Sequence, residues 1–167
     1  MDITDFPAFQ HLNSTQLENL RAACEERELA PGEELIRRGT EGGKLYFLLE
    51  GNLQVYVEAG GSEVDLSDVR APAVIGELEL LTGSARTASV RAVGKSRVLA
   101  LEHERVQARI DDGDPAVLKA MFGIARVIAT RLVAMSEKLV ELESRSETVH
   151  SHELRSFRQK LFSDWTV

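Results

Sequence analysis

Cysteine is nearly absent. Cys24 stands alone among 167 residues, which rules out a disulfide within the chain and fits a reducing compartment. Long apolar runs are missing too, since no stretch approaches the roughly 18 consecutive apolar residues of a membrane span. The first ten residues carry acids and a proline where a secretory leader would have a basic start and an apolar run, so none is expected. Positive charge is in deficit, with 20 Lys and Arg against 27 Asp and Glu and a net charge of -7. That deficit argues against nucleic acid as the main partner, because phosphate backbones are held by clustered Lys and Arg. A small anion needs only one well-placed cation and stays open. The remaining composition, 43% hydrophobic and 28% charged, suits one well-cored cytoplasmic domain with an added helical element.

Glycine is abundant in one place. Ten of the twelve glycines lie between Gly32 and Gly94, so a β-rich middle flanked by helices is expected. Within it, Leu35-Ile36, Leu45–Leu49 and Leu53–Val57 are rich in strand-favouring side chains, and further strands are expected at 63–69, 87–92 and 97–101. Many short strands with glycine turns predict a mainly β fold with flanking helices, a sandwich or jelly-roll barrel and not an alternating βα fold. Before it, Asn13-Ser14-Thr15 offers N-caps for a helix carrying Leu17, Leu20 and Cys24, which Pro31-Gly32 is expected to end.

After the glycines the pattern turns helical. A short helix is expected over 104–110, broken by Asp111-Asp112-Gly113 and restarted by Asp114-Pro115. Leu118, Met121, Ala125, Ile128, Leu132, Met135, Leu139 and Leu142 then alternate three and four apart, the seam of a coiled coil. The apolar face is wider early than late, as in a helix that packs first on its own barrel and then on a second copy. The organisation read from these patterns is an N-terminal helical segment (1–30), a barrel (31–103), a short and a long helix (104–143) and an amphipathic tail (144–167).

The informative stretch runs from Ile75 to Val90. A glycine entering a short helical turn lets backbone N–H groups converge on an anion, and an arginine returning from the next strand can clamp that anion with forked donors. Ile75-Gly76-Glu77-Leu78 followed by Arg86-Thr87-Ala88-Ser89-Val90 resembles the phosphate-binding cassette of cyclic-nucleotide-binding domains. Such domains occur in protein kinase A regulatory subunits, nucleotide-gated channels and catabolite activators. Pro31-Gly32-Glu33, Ile36, Gly39, Tyr46-Phe47-Leu48 and Gly51 fit the family upstream, and the resemblance spans about 12–142.

The resemblance implies a cupin-like double-stranded β-helix and a sensor instead of an enzyme. It implies that Arg86 pairs with the exocyclic phosphate oxygens, Glu77 accepts from the ribose 2′-hydroxyl, and N–H groups around Gly76, Glu77 and Leu78 complete the cradle. Thr87 would touch phosphate and purine, and Ser136 would reach the base. The ligand would be cAMP or cGMP, with cAMP favoured, and no cofactor is implied. Arg86 is expected to face a ligand pocket and not the core. One departure stands out: Glu79 occupies a position near the phosphate where the family usually has Ala or Gly. Its carboxylate either opposes phosphate or points to solvent.

Other candidates are weaker. His11, His103, His150 and His152 lack the paired spacing of jelly-roll metal sites, so no metal is expected and a metal-dependent jelly-roll enzyme is the remotest alternative. Gly42-Gly43-Lys44 is followed by Leu45 where a P-loop needs Ser or Thr, and reads as a hairpin turn. Cys24 reads as a small core residue. In the tail, Leu154, Phe157, Leu161 and Trp165 form a stripe suited to docking on the barrel or a partner. From 143 onward four acids balance four bases, so no membrane attraction is expected, and the tail is too short for a DNA-binding winged helix. The expected partners are therefore a cyclic mononucleotide, a second copy through 118–142 and an unidentified protein. The nearer alternative is a degenerate barrel that serves as a dimerisation or interaction module without nucleotide.

Overall fold

The computed structural model describes residues 2–145. The chain divides into two units, residues 1–126 and residues 127–167.

The first unit contains all the strands among the described residues: β1 (Glu25–Leu29), β2 (Glu34–Ile36), β3 (Lys44–Glu50), β4 (Asn52–Ala59), β5 (Ser62–Arg70), β6 (Ala73–Ile75), β7 (Ser89–Ala92) and β8 (Ser96–Glu102). They form two four-stranded antiparallel sheets, ordered β1-β8-β3-β6 and β2-β7-β4-β5. Consecutive strands pass from one sheet to the other, except that β4 and β5 pair as a hairpin within the second sheet. Leu29, Tyr46, Leu48, Ile75, Val98 and Ala100 from one sheet join Leu35, Ile36, Leu53, Val90 and Ala92 from the other in a single core cluster.

Strand β3 explains its own unbroken apolar run. Tyr46 and Leu48 enter the core between the sheets, while the alternate residues Leu45, Phe47 and Leu49 are also buried. Phe47 is covered by Phe6 and Phe9 at ring-centroid distances of 5.9 and 5.2 Å, both edge-on. Those two phenylalanines are set by short 3-10 turns, Ile3–Asp5 and Pro7–Phe9, the first closed by a capping box between Asp2 and Asp5. The N-terminal residues are thus part of the core. A fully buried phenylalanine contributes about 1.5–3 kcal/mol through burial alone.

Helix α1 (Ser14–Ala22) starts at the Asn13 cap, whose side chain accepts from Gln16 N–H. It was expected to run to Pro31-Gly32 but ends at Ala22, because the chain turns into β1, the charged edge strand paired with β8. Arg97 of β8 holds Glu26 at 2.7 Å across that pair. Helix α2 (Glu77–Thr82) follows β6, and α3 (His103–Asp111) follows β8 directly. Helix α4 (Pro115–Arg145) begins where expected: Pro115 opens it and Asp114 Oδ1 accepts from Ala116 N–H at 2.8 Å. Its early turns bury Ala116, Val117, Ala120 and Ile124. Gly123 is needed for close approach, since a Cβ there would stand 1.7 Å from the Ala8 carbonyl oxygen.

In the second unit the described part of α4 exposes Leu132, Val133, Met135 and Val140. The side chains of Leu139 and Leu142, and the tail stripe of Leu154, Phe157, Leu161 and Trp165, lie outside the described residues. No helix among the described residues is long and apolar enough to cross a membrane.

Candidate functional site

Strand β6 delivers the chain to Gly76, whose left-handed backbone (φ 85°) turns it into α2. A second left-handed glycine, Gly83, ends α2 by donating its N–H to the Glu79 carbonyl at 2.8 Å. The return segment then carries Arg86, whose backbone is tied to the turn after β2: Arg86 N–H donates to Thr40 O and its carbonyl accepts from Gly39 N–H. The arginine side chain is thereby aimed inward, beneath the turn that leads into β3.

Arg86 does not face an open pocket as expected. Its side chain is 4% exposed and meets acceptors from its own chain on every edge. Nη1 donates to the Gly76 carbonyl at 3.1 Å, Nη2 donates to the Lys44 carbonyl, and Nε lies 2.6 Å from Glu79 Oε2. The guanidinium also stands 6.0 Å from the centre of the Tyr46 ring. Glycine makes this possible at two points. A Cβ on Gly42 would fall 2.2 Å from Arg86 Nε, and one on Gly76 would fall 2.3 Å from Nη1.

Glu79 completes the arrangement. Its Oε1 accepts from the N–H groups of Gly42 and Gly43, both at 2.8 Å, while Oε2 pairs with Arg86. Successive N–H groups that converge like this form an anion-binding nest. Burial pushes the Glu79 carboxyl upward, but the Gly43 and Gly42 donors and the charges of Arg86 and His103 outweigh it and hold it below the usual carboxylate range. The choice left open by the sequence is resolved: this carboxylate does not point to solvent.

His103, the first residue of α3, stands beside the pair. Burial lowers its pKa, and the Arg86 charge lowers it further against the opposing pull of Glu79 and a hydrogen bond to the Lys44 backbone. Its Nε2 is buried and lacks a hydrogen-bond partner.

The structure therefore brings Gly76 and Arg86 together with Glu79, Gly42, Gly43 and the Lys44 carbonyl. Glu77 is buried at the start of α2, Leu78 is exposed on it, and Thr87 is exposed just past Arg86. Ser136 lies on the part of α4 that belongs to the second unit. Sequence reasoning passed over Gly42 and Gly43 as a plain hairpin turn. Their contribution is two N–H groups, and no local residue pattern marks where those point.

Among the described residues, no group of three or more His, Cys, Asp or Glu side chains is placed to hold a metal ion. Cys24 is half-buried, and its Sγ donates to the Leu20 carbonyl at 3.2 Å. Burial pushes its thiol up to about 11 against the lowering effect of nearby arginines, so it stays protonated and poorly nucleophilic at neutral pH.

A glycine-lined turn, a buried arginine and converging N–H donors sit within residues 26–112, the span matched by the profile of the cyclic nucleotide-binding domain. The chain belongs to that family. It is similar to a cAMP-dependent protein kinase regulatory subunit from Blastocladiella emersonii, 34% identical over 56% of this chain and 24% of the relative. Among solved structures it resembles the Thermus thermophilus catabolite activator protein (TM-score 0.71, 25% identity, 83% of this chain and 63% of that one). It also resembles the regulatory subunit of a cAMP-independent protein kinase A from Trypanosoma brucei (TM-score 0.65, 26% identity, 75% of this chain and 42% of that one). A triple mutant of the trypanosome protein is bound to cAMP in the A site; in it a glutamate, a threonine and a valine are replaced by alanine, arginine and alanine. The chain spans about a quarter of the length of the curated relatives it matches first.

Proposed function

We propose that this cyclic nucleotide-binding regulatory domain takes cAMP in preference to cGMP, holds its phosphate at Arg86, and reports occupancy through α4. The observation that carries the reading is the buried Arg86 guanidinium, set between two glycines that leave it room, beside two converging backbone donors. Forked guanidinium donors and backbone N–H groups together suit a phosphate diester. In this reading Glu77 accepts from the ribose 2′-hydroxyl, N–H groups around Gly76–Leu78 add to the phosphate cradle, and Thr87 lies at its rim. The chain acts by binding in the cytoplasm, not by catalysis. Its output passes to a second copy through 118–142 and to a protein partner, without direct contact to DNA or membrane. The preference for cAMP draws on the kinase regulatory subunits among its relatives.

A second reading has one observation in its favour. In the trypanosome mutant that binds cAMP, the replaced glutamate and threonine stand seven positions apart, the spacing of Glu79 and Arg86 here. By that spacing, this chain has glutamate where the mutant has its alanine and arginine where the mutant has its arginine. A barrel that keeps its own carboxylate at the arginine could serve as an interaction module without nucleotide.

Mass spectrometry of small molecules released from the purified protein, with titration by cAMP and cGMP, separates the two. Co-purified or titratable cyclic nucleotide supports the sensor; its absence at millimolar ligand supports the interaction module.

A further inference from the structure

The Glu79 carboxylate sits where two backbone donors and a buried guanidinium converge, its Oε2 ion-paired with Arg86 but accepting no hydrogen bond. Gly42 N–H and Gly43 N–H meet Oε1 at 2.8 Å each, and Arg86 Nε meets Oε2 at 2.6 Å. Two backbone donors and a guanidinium edge around one set of oxygens is the arrangement that receives a phosphate diester. Arg86 cannot turn elsewhere to meet a ligand, because its other two nitrogens are tied to the Gly76 and Lys44 carbonyls. Its Nε edge is the one that a carboxylate holds.

We propose that Glu79 is the resident anion of this cradle, and that a nucleotide phosphate enters only as the Glu79 carboxylate leaves. The proposal rests on the reading of Arg86 as the phosphate ligand. Two anions cannot share these partners: both would need the Gly42 and Gly43 N–H groups and the same edge of Arg86, and like charges in a buried site repel with little screening. The cradle therefore holds one anion at a time.

The exchange has a mechanical consequence. Glu79 is the third residue of α2, a helix with a left-handed glycine at either end, Gly76 at φ 85° and Gly83 at φ 66°. With Glu79 seated, α2 is pinned to the turn before β3 through Gly42 and Gly43. With phosphate seated, that bridge is broken and α2 is freed to pivot on its two glycines, carrying the exposed Leu78 and Leu81 with it. Ligand entry becomes a displacement of α2, and affinity is set by how strongly Glu79 competes. Position 79 is then a determinant of sensitivity: the intrinsic affinity of the cradle is reduced by the fraction of time the carboxylate is absent.

The test compares the wild type with Glu79→Ala, which empties the cradle, and Glu79→Gln, which keeps the shape and removes the charge. Each is melted in rising inorganic phosphate at constant ionic strength and titrated with cAMP by calorimetry. If Glu79 fills the cradle nine-tenths of the time or more, Glu79→Ala binds cAMP about tenfold tighter than wild type or better. Millimolar phosphate then raises its melting temperature while leaving the wild type unmoved, and Glu79→Gln shows a smaller gain in the same direction. A gain for phosphate with no cAMP binding in any of the three keeps the resident anion and overturns the nucleotide reading. Folded Glu79→Ala and Glu79→Gln proteins with no gain for either anion overturn the proposal, as does weaker cAMP binding in both. Should the alanine variant fail to fold, the glutamine variant alone decides between the same outcomes.

Discussion

Arg86 Nε and Glu79 Oε2 lie 2.6 Å apart, with the two side chains 4% and 11% exposed, so each is the other's charge partner in a site nearly closed to water. Breaking a buried pair by removing one member is costly, because the remaining charge stays desolvated and unpaired; losses of about 3–5 kcal/mol are typical when both are fully buried. Arg86→Ala should therefore lower stability in urea by about 2 kcal/mol or more, and Glu79→Ala by a comparable amount. The double variant should lose less than the two single losses added together, since no lone charge remains. Strictly additive losses would mean that the pair is not coupled.

Gly42→Ala tests the space around the guanidinium. A Cβ there would fall 2.2 Å from Nε and 2.4 Å from Nη2, so Arg86 must move and its bonds to Glu79, Gly76 and Lys44 must loosen. The variant should lose stability and bind cyclic nucleotide more weakly by at least about tenfold, the loss of one charge-assisted hydrogen bond. Gly94→Ala is the control, because a Cβ there meets nothing within 4 Å and no left-handed backbone is involved. It should change the unfolding midpoint little. Equal effects of the two substitutions would contradict the close-approach argument.

The fold was legible where side-chain pattern and burial agree. The run Leu45–Leu49 reads as a strand because Tyr46 and Leu48 face one apolar layer while Leu45, Phe47 and Leu49 are buried on the other side. The helix begun by Asp114-Pro115 carries its cap in its own residues. Strand β1, Glu25–Leu29, was not legible: four of its five residues are exposed and charged, and its partners lie about seventy positions on in β8. The 3-10 turns at Phe6 and Phe9 gave no periodic signal, being too short to repeat one. At the site, Gly76 and Arg86 were visible as a motif and Glu79 as an anomaly within it. What Glu79 does depends on Gly42 and Gly43, whose contribution is backbone N–H direction and leaves no trace in residue type.

Acid should loosen the site in a defined window. Burial, aided by the Arg86 charge, holds the His103 pKa below its ordinary 6.5, so the unfolded chain binds a proton on this group more readily than the folded one. Stability attributable to His103 is then fully present above pH 6.5 and is lost as pH falls from there through the lowered folded value. Glu79, also depressed, behaves the same way at lower pH: its contribution is complete above 4.5 and is lost as pH falls through its folded value. Melting temperatures measured between pH 5 and 8 should fall on the acid side in the wild type and fall less in His103→Gln. Parallel curves would show that the buried imidazole is not the sensitive group.

The exposed Leu132, Val133, Met135 and Val140 bear on self-association through α4. Covering such side chains contributes about 1.5–3 kcal/mol each when burial is complete, which favours a helix pair in solution. Sedimentation equilibrium at tens of micromolar should give a dimer for the wild type and a monomer for Leu132→Glu/Met135→Glu. A monomeric wild type would contradict pairing through this helix.

Calorimetric titration of the wild type and of Arg86→Lys with cAMP and cGMP addresses the central assignment most directly. Lysine keeps the positive charge but loses the planar fork, so charge remains while the forked hydrogen bonding is lost. The wild type should bind cAMP saturably, one per chain and more tightly than cGMP. Arg86→Lys, with its fold verified by melting, should bind roughly 10- to 150-fold more weakly, the range expected for a hydrogen bond to a charged group of about 1.5–3 kcal/mol. Equal cAMP affinity in the two proteins, or no saturable binding of either nucleotide by the wild type, would contradict the placement of a cyclic nucleotide phosphate at Arg86.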